Sequence, residues 1–333
     1  MTKIKAILLI LFITLFSSPA RGGDEPVKLT RHGDQIEVSI GGKPFTTYYF
    51  SPKIPKPYLH PLRSAQGTIV TRGWPMVKNI PGESHDHPHQ RAMFFAHGDI
   101  NGINFWAESS LSKTAQTAHG HFYASEDLPL GRTVITRMDE MKSAGDTATI
   151  RAQFNLVGPG GKAIAGETQG YTFHCNAQNR LIDCEFIIHA GKIPVKMGDT
   201  KEGTFAIRVV KGLEDPNGHM LNSNGGVGDK EIWGKRADWV DYSGDVAGES
   251  LGLAIFDNPT NPKHPTYWHA RGYGLFAVNP FGEHDFYNDP KRDGSITIPP
   301  GGSLTLRYRV LIHHGDAIQA HVAEDYQEYA RGK

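Results

Sequence analysis

The chain is poor in net charge, cysteine, long hydrophobic runs and helical periodicity, and each shortage removes a class of protein. Its 333 residues carry 35 Lys plus Arg against 35 Asp plus Glu. The basic excess usual in nucleic-acid binders is therefore missing. No basic amphipathic helix is present to hold the chain on a membrane surface. Only one run is strongly apolar, Ala6 to Phe16, and it falls short of the roughly 20 residues that span a bilayer. It follows a basic start (Lys3, Lys5) and precedes Ser18-Pro19-Ala20, small residues where a signal peptidase cuts. Basic start, short apolar run and small-residue exit read as a secretory signal over residues 1–20. Cleavage after Ala20 would remove two lysines and leave 33 basic against 35 acidic residues. The remaining 21–333 should form a soluble, periplasmic or extracellular protein.

Two cysteines are present, Cys175 and Cys184, in the run YTFHCNAQNRLIDCEFII. If Asn179-Arg180 centres a hairpin turn, the two face each other, close enough for a disulfide in an oxidising compartment. Neither has an activating neighbour in sequence, which speaks against a catalytic thiol.

What is plentiful is glycine (38) and proline (21). They punctuate short alternating or β-branched runs such as Gln35–Ile40, Thr147–Leu156, Leu181–Ala190, Phe205–Lys211, Gly252–Asp257 and Ser303–His313. Many short strands with such turns predict an all-β fold, a large antiparallel β-sandwich. One helix is expected, about 317–330, with Asp316 and Gln319 as its capping box and Ile318, Val322, Tyr326 and Tyr329 on one face. Neither an internal repeat nor a low-complexity linker divides the chain, so a single domain is expected.

Histidine is concentrated. HDHPHQRAMFFAHGDINGINFW, residues 85–106, holds His85, His87, His89 and His97 together with Arg91, Asp99, Asn101 and Trp106. Imidazole both transfers protons near neutral pH and ligates zinc, copper, iron or nickel. The spacing matches no specific metal motif. Three readings stand open: a divalent metal on His85, His87, His89 and His97, a metal-free acid/base cleft, or a hydrogen-bonded structural cluster. A second stretch, residues 257–286, brings Tyr267, Trp268, His269 and Arg271, with Glu283 past the next strand. Aromatic faces beside charged groups suit a polyol, whose C–H faces stack on rings. In a third region Arg208 sits on the alternating strand TFAIRVV, and Lys235 and Arg236 follow; cations there would hold a carboxylate or an oxyanion. Lys201 and Glu202 look more like a surface ion pair. Glu167 is a further candidate acid or base.

PYLHPLRSAQGTIVTRGWPM, the 85–106 stretch, GDTKEGTFAIRV, IWGKRADWVDYSG and AIFDNPTNPKHPTYWHARGYGLFAVNPFG together resemble a secreted PmoA-like family of unknown function. That family's inherited label, a methane monooxygenase subunit, names an integral membrane protein and does not suit a chain without a span. The family's HPHHR becomes His89-Gln90-Arg91 here, which places any ligand or proton-carrier role at position 90 in doubt. The closing run SITIPPGGSLTLRYRVLIHHG is similar to the last hairpin of galactose-mutarotase-like supersandwich proteins. That resemblance implies a sugar cleft on one sheet, worked by histidines and a carboxylate.

The expected function is thus an exported carbohydrate-active enzyme, cleaving or epimerising a glycoside or sugar derivative. His89, His97, His269, Glu283 and Glu167 are its acid/base candidates. Arg91, Asp99, Asn101, Trp106, Arg208, Lys235, Arg236, Tyr267, Trp268 and Arg271 are its ligand contacts. The alternative is a carbohydrate-binding protein without turnover.

Overall fold

The computed structural model describes residues 26–108, 128–176 and 178–332; the signal segment expected at 1–20 lies outside them. The chain forms strands β1 (Val27–His32), β2 (Gln35–Ile40), β3 (Lys43–Tyr49), β4 (Tyr58–Leu59), β5 (Met93–His97), β6 (Arg132–Ala144), β7 (Thr147–Val157), β8 (Ala163–Cys175), β9 (Arg180–His189) and β10 (Val195–Met197). There follow β11 (Gly203–Arg208), β12 (Gly218–Asn222), β13 (Arg236–Ala237), β14 (Trp239–Val246), β15 (Glu249–Asp257), β16 (Thr266–Ala270), β17 (Leu275–Val278), β18 (Ile296–Ile298) and β19 (Ser303–His314). Three short helices are described, α1 (Gly228–Ile232), α2 (Glu283–Tyr287) and α3 (Val322–Arg331).

Two large antiparallel sheets pack face to face, as the strand-rich, turn-punctuated sequence predicts. One has nine strands in the order β1-β2-β3-β4-β5-β11-β17-β16-β13. The other has eight, ordered β12-β14-β15-β19-β9-β8-β7-β6. A single apolar cluster draws on both inner faces. Phe95 stacks on Phe186 at 4.2 Å and Phe205 on Tyr308 at 5.3 Å, each pair reaching from one sheet to the other. Among the described residues no helix is long and apolar enough to cross a membrane.

The outer faces of the two sheets differ, and this difference positions the site. In the eight-stranded sheet, β9 alternates strictly between buried and half-buried. Its outer side chains form a ladder of ion pairs, Arg151–Glu185–Arg307 and Asp183–Arg309. That is the pattern of a sheet solvated on one side. In the nine-stranded sheet, β5, β11, β16 and β17 are buried at every position. Their outer face is therefore covered as well, by loop segments and by the short helix α2, whose Phe286 packs on His269 and Trp233.

Two expectations are corrected. Cys175 and Cys184 are not joined by a disulfide. The hairpin register places Cys175 opposite Arg180 and Cys184 opposite Tyr171. The carboxamide oxygen of Asn176 accepts the backbone N–H groups of Gln178 (2.9 Å) and Asn179 (3.2 Å). This Asx turn closes the hairpin two residues earlier than a turn centred on Asn179-Arg180 would. The C-terminal helix begins at Val322 rather than near 317. The capping pair does form: Asp316 Oδ1 accepts from Gln319 N, and Gln319 Oε1 accepts from Asp316 N. It closes a separate turn, because His321 adopts a left-handed φ of 55° that interrupts the spiral. Ile318 consequently points to solvent, while Val322 and Tyr326 pack on Trp239, Phe256 and Leu311 of the outer sheet face.

Candidate functional site

Strand register decides which side chains meet. Tyr49 faces Tyr58, Tyr58 faces Phe94, Phe94 faces Ala206, Ala206 faces Ala277 and Ala277 faces His269. Facing residues in paired strands share a sheet face. Tyr49, Tyr58, Phe94, Ala206, Ala277 and His269 thus make one transverse row on the outer face of the nine-stranded sheet. The two alanines, with Ala96 beside them, are the small buried side chains of this face between larger neighbours, and we call the position above this alanine floor the hollow. The adjacent row, Phe95, Phe205, Val278 and Trp268, turns inward.

Covering segments supply the walls of this hollow. Trp106 packs on Phe94 at 5.0 Å, and the His89 ring lies 6.2 Å from Trp106. His87 stands edge-on to His89 at 5.7 Å and stacks flat on Tyr273 at 5.4 Å, with 5° between planes. Across from them Trp233 meets His269 edge-on at 6.4 Å. The Arg271 guanidinium bridges the aromatic groups, 5.6 Å from the centre of Trp233 and 5.7 Å from that of Tyr273.

The electrostatics favour neutral imidazoles at His89 and His269. Burial, followed by the Lys56 charge and then His87, Arg72 and Arg208, holds His89 well below the usual histidine pKa. Burial and the Lys201 charge do the same to His269, and His87 contributes there too. His269 Nδ1 lies 2.6 Å from the Lys201 carbonyl. A carbonyl can only accept, so Nδ1 carries the proton and Nε2 keeps a lone pair. Lys56 is wholly buried beneath Phe94, 4.7 Å from the ring centre, and burial lowers its pKa to about 8 against the pull of Glu108.

A polar scaffold holds the histidine loop in place. Arg72 donates to the carbonyls of Asp86, His87 and Gln90 and to the Asp86 carboxylate. Arg208 donates to the Gln90 carboxamide oxygen at 2.5 Å and pairs with Asp86 at 3.2 Å. Asp86 is held far below the ordinary carboxylate range by these partners and His87, against the opposing effect of its burial. Arg91 makes a bidentate pair with Glu108 (2.8 and 2.7 Å). Glu108 also receives Lys56 at 3.3 Å.

The sequence-derived candidates therefore separate. His89, His269, Trp106 and Arg271 meet at the hollow. Arg91 and Arg208 border it, with guanidinium groups committed to Glu108, Gln90 and Asp86. His97 lies on the opposite side of its strand: Nε2 bonds the Gly198 carbonyl at 2.8 Å, and the ring packs on Phe281 in the interior. Trp268 is likewise inside, its indole N–H on the Ala237 carbonyl. Alternation explains both, since each is one residue, or an odd number, out of phase with the outward row. Asp99 caps a turn by accepting Gly102 N, and Asn101 ties its loop to β10 by accepting Lys196 N and donating to the Pro194 carbonyl. Tyr267 contacts Tyr287 and lies under Arg236, which is spent on the carbonyls of Lys263, His264 and Pro265. Lys235 is exposed. Glu283 pairs with Lys263 at 2.9 Å. Glu167 is buried between the sheets, bonded to Gln169.

The expected metal set does not converge. His85 stacks on Trp74 at 4.4 Å, His87 on Tyr273, and His97 is behind the sheet. Among the described residues no three His, Cys, Asp or Glu side chains are grouped to hold a metal ion.

Several contributors escaped the sequence reading. Tyr273, Trp233, Lys56 and Asp86 carry no motif. Gln90, discounted as a departure from a histidine, proves to be the anchor of Arg208. Lys201 and Glu202 do pair, at 3.6 Å, but they are buried at the edge of the site rather than at the surface, and the Glu202 charge acts on Tyr273. The usable signal for the last two was their position, directly before a strand whose every residue is buried.

Fold and site together define an antiparallel β-sandwich protein with a histidine- and aromatic-lined hollow on one sheet. Within that class, the chain belongs to DUF6807, a family of unknown function, whose profile matches residues 35–327. No curated protein matches it. Among solved structures it is similar to a galactose mutarotase-like protein from Clostridium acetobutylicum, with 10% identity and a TM-score of 0.43 over 87% of this chain and 99% of that one. A putative aldose 1-epimerase from Klebsiella pneumoniae gives 10% identity and 0.43 over 91% and 87%. An alpha-galactosidase from Lactobacillus brevis gives 9% and 0.39 over 88% and 40%.

Proposed function

We propose that the hollow binds a sugar or sugar derivative and moves protons on it, so that the protein is an exported carbohydrate-active enzyme. The observation that carries this reading is the convergence of His87, His89 and His269 with Trp106, Tyr273 and Trp233 above an alanine floor. Rings of this kind accept the C–H faces of a pyranose, and the neutral imidazoles of His89 and His269 accept or relay its hydroxyl protons. His269 is the general base, because its tautomer is set by the Lys201 carbonyl and Nε2 is the open lone pair. His89 is its partner across the hollow. Glu202, rather than Glu283 or Glu167, is the carboxylate of the set. Arg271 bonds Asp229 through Nε alone and retains 34% of its side-chain exposure. It is the cation available to a ligand carboxylate or oxyanion. This chemistry serves epimerisation and glycosidic cleavage alike.

The test is turnover of a panel of aldoses, uronates and glycosides, oxidised and unoxidised, followed by NMR. His269→Asn should lower kcat by about 10²–10⁴, the usual worth of a positioned acid or base, with the melting temperature kept. Tight sugar binding without turnover on any member would reassign the hollow to a binding protein. Sugar density in a soaked crystal lying away from His269 would remove the reading altogether.

A further inference from the structure

A second cavity lies at the other end of the transverse row, beyond Arg91. Its volume is about 550 Å³, within the range of small-molecule sites. Tyr49 and Tyr58, stacked at 5.0 Å with 20° between planes, form one wall. Met76, Val77 and Ile80 form the other, on the segment that folds back over the sheet. Ile69 and Val77 stand exposed at its mouth, an uncommon placement for two large aliphatic side chains lining one cleft.

Two polar groups in this apolar cleft have no counterpart among the described residues. Arg63 lines it half-buried, and no carboxylate pairs with it among the described residues. The other arginine of the lining, Arg91, is already satisfied by Glu108. Glu83, the carboxylate of the lining, is taken up by the backbone N–H groups of Gly73 and Trp74. His60 is only 6% exposed, and its Nδ1 has no hydrogen-bond partner among the described residues. A buried polar atom left unpaired costs about 1–3 kcal/mol, and a half-buried cation without a counterion adds to that. A single anionic group entering the cleft that both line would give each of them a partner.

We infer that this cleft is a binding site for a small carboxylate with an aromatic or aliphatic body, its charge on Arg63 and His60 and its body between the tyrosine pair and Met76. Burial, Arg63 and Arg91 lower the His60 pKa to about 4, so the ring enters as a neutral donor. The site is separate from the histidine hollow, and Arg91 with Glu108 is the partition between them.

The probe is 4-phenylbutyrate, titrated into the full-length protein by calorimetry, beside 4-phenylbutanol and 4-phenylbutyramide. The acid should bind at least tenfold more tightly than either uncharged analogue. Arg63→Met should erase that preference while leaving the melting temperature and any sugar turnover unchanged. Met76→Lys, which places charge where the body should lie, should weaken all three probes. Equal binding of acid and alcohol, undiminished binding to Arg63→Met, or no heat with the acid at millimolar concentration would each overturn the assignment.

Discussion

Glu167 shows what burial does to one carboxyl group. It sits between the sheets against the Gln169 carboxamide, which donates to it at 2.6 Å and also accepts from Tyr48 and Tyr171. Burial raises its pKa to about 8 against the opposing bond from Gln169. The folded protein therefore keeps a proton that the unfolded chain releases above about 4.5. Its contribution to stability is complete below that value and is lost as pH rises through 8. Glu167→Gln keeps the acceptor for Gln169 and removes the ionisation. A tenfold difference in proton affinity between folded and unfolded chain is worth roughly 1.4 kcal/mol. After a discount for relaxation, the variant should be more stable than the parent by about 2 kcal/mol at pH 7, and no more stable near pH 4.5. Urea unfolding at the two pH values checks this; equal stability of variant and parent at pH 7 would mean that Glu167 ionises normally. Sequence alone could nominate Glu167 as an acid or base, because AGETQGY reads as a strand bearing a carboxylate. It could not say which way the strand faces. That depends on a register built from residues over a hundred positions apart, such as Tyr48 and Gln169.

At the scale of elements, the eight-stranded sheet contains a contact that a glycine makes possible. In β15, Gly252 faces Ser243 on one side and His313 on the other. The His313 ring lies across it and reaches Asp241 on β14, with Nε2 to Oδ2 at 2.8 Å and both side chains fully buried. A methyl group at position 252 would come within 2.1 Å of the ring. Gly252→Ala should therefore displace the imidazole and leave Asp241 as a buried, uncompensated charge, a loss of about 3–5 kcal/mol. His313→Ala should cost a similar amount, and the two effects should not add, since each removes the same pair. Additive losses in denaturant titrations of the double variant would show that the glycine serves some other purpose. Burial pulls the His313 pKa down, but the bond to and charge of Asp241 outweigh it and the net displacement is upward. This stabilisation is thus complete below the unfolded value near 6.5 and fades as pH rises through the folded value. Strand existence was legible here, since Gly252–Asp257 and Ser303–His313 announce themselves by composition. The hairpin register at Asn176 and the late start of α3 were not, because each turns on one side-chain or backbone torsion, at Asn176 and His321.

For the whole molecule, the arrangement of two sheets and a covered outer face makes acid its weak point. Part of the candidate site was legible in advance, since side chains from the 85–106 and 257–286 segments do lie on the same sheet face. Alternation within strands then sent His269 to the hollow and His97 and Trp268 into the core, while His89 reaches the hollow from the turn before β5. That division loads the folded state with imidazoles that resist protonation. Burial lowers His97 to about 4, against the Gly198 carbonyl and Asp99, and His60 falls to about 4 as well. Below the unfolded value of about 6.5 the unfolded chain takes up protons that these rings refuse, so stability falls with pH until about 4. For each ring, the gap between those two values amounts to about 3 kcal/mol. His89 and His269 add to the same slope. Opposing it, Glu167 gains stability over part of the range, yet only between about 8 and 4.5. Unfolding free energies measured at pH 7, 5.5 and 4 should therefore decline steeply in the lower interval. His97→Gln, which can still donate to the Gly198 carbonyl, should decline by about 3 kcal/mol less. A flat profile, or an identical slope in the variant, would require the interior histidine to be protonated in the folded protein. In that case His97, hydrogen-bonded behind the sheet, would be charged and would need an anion that no described residue near it supplies except Asp99.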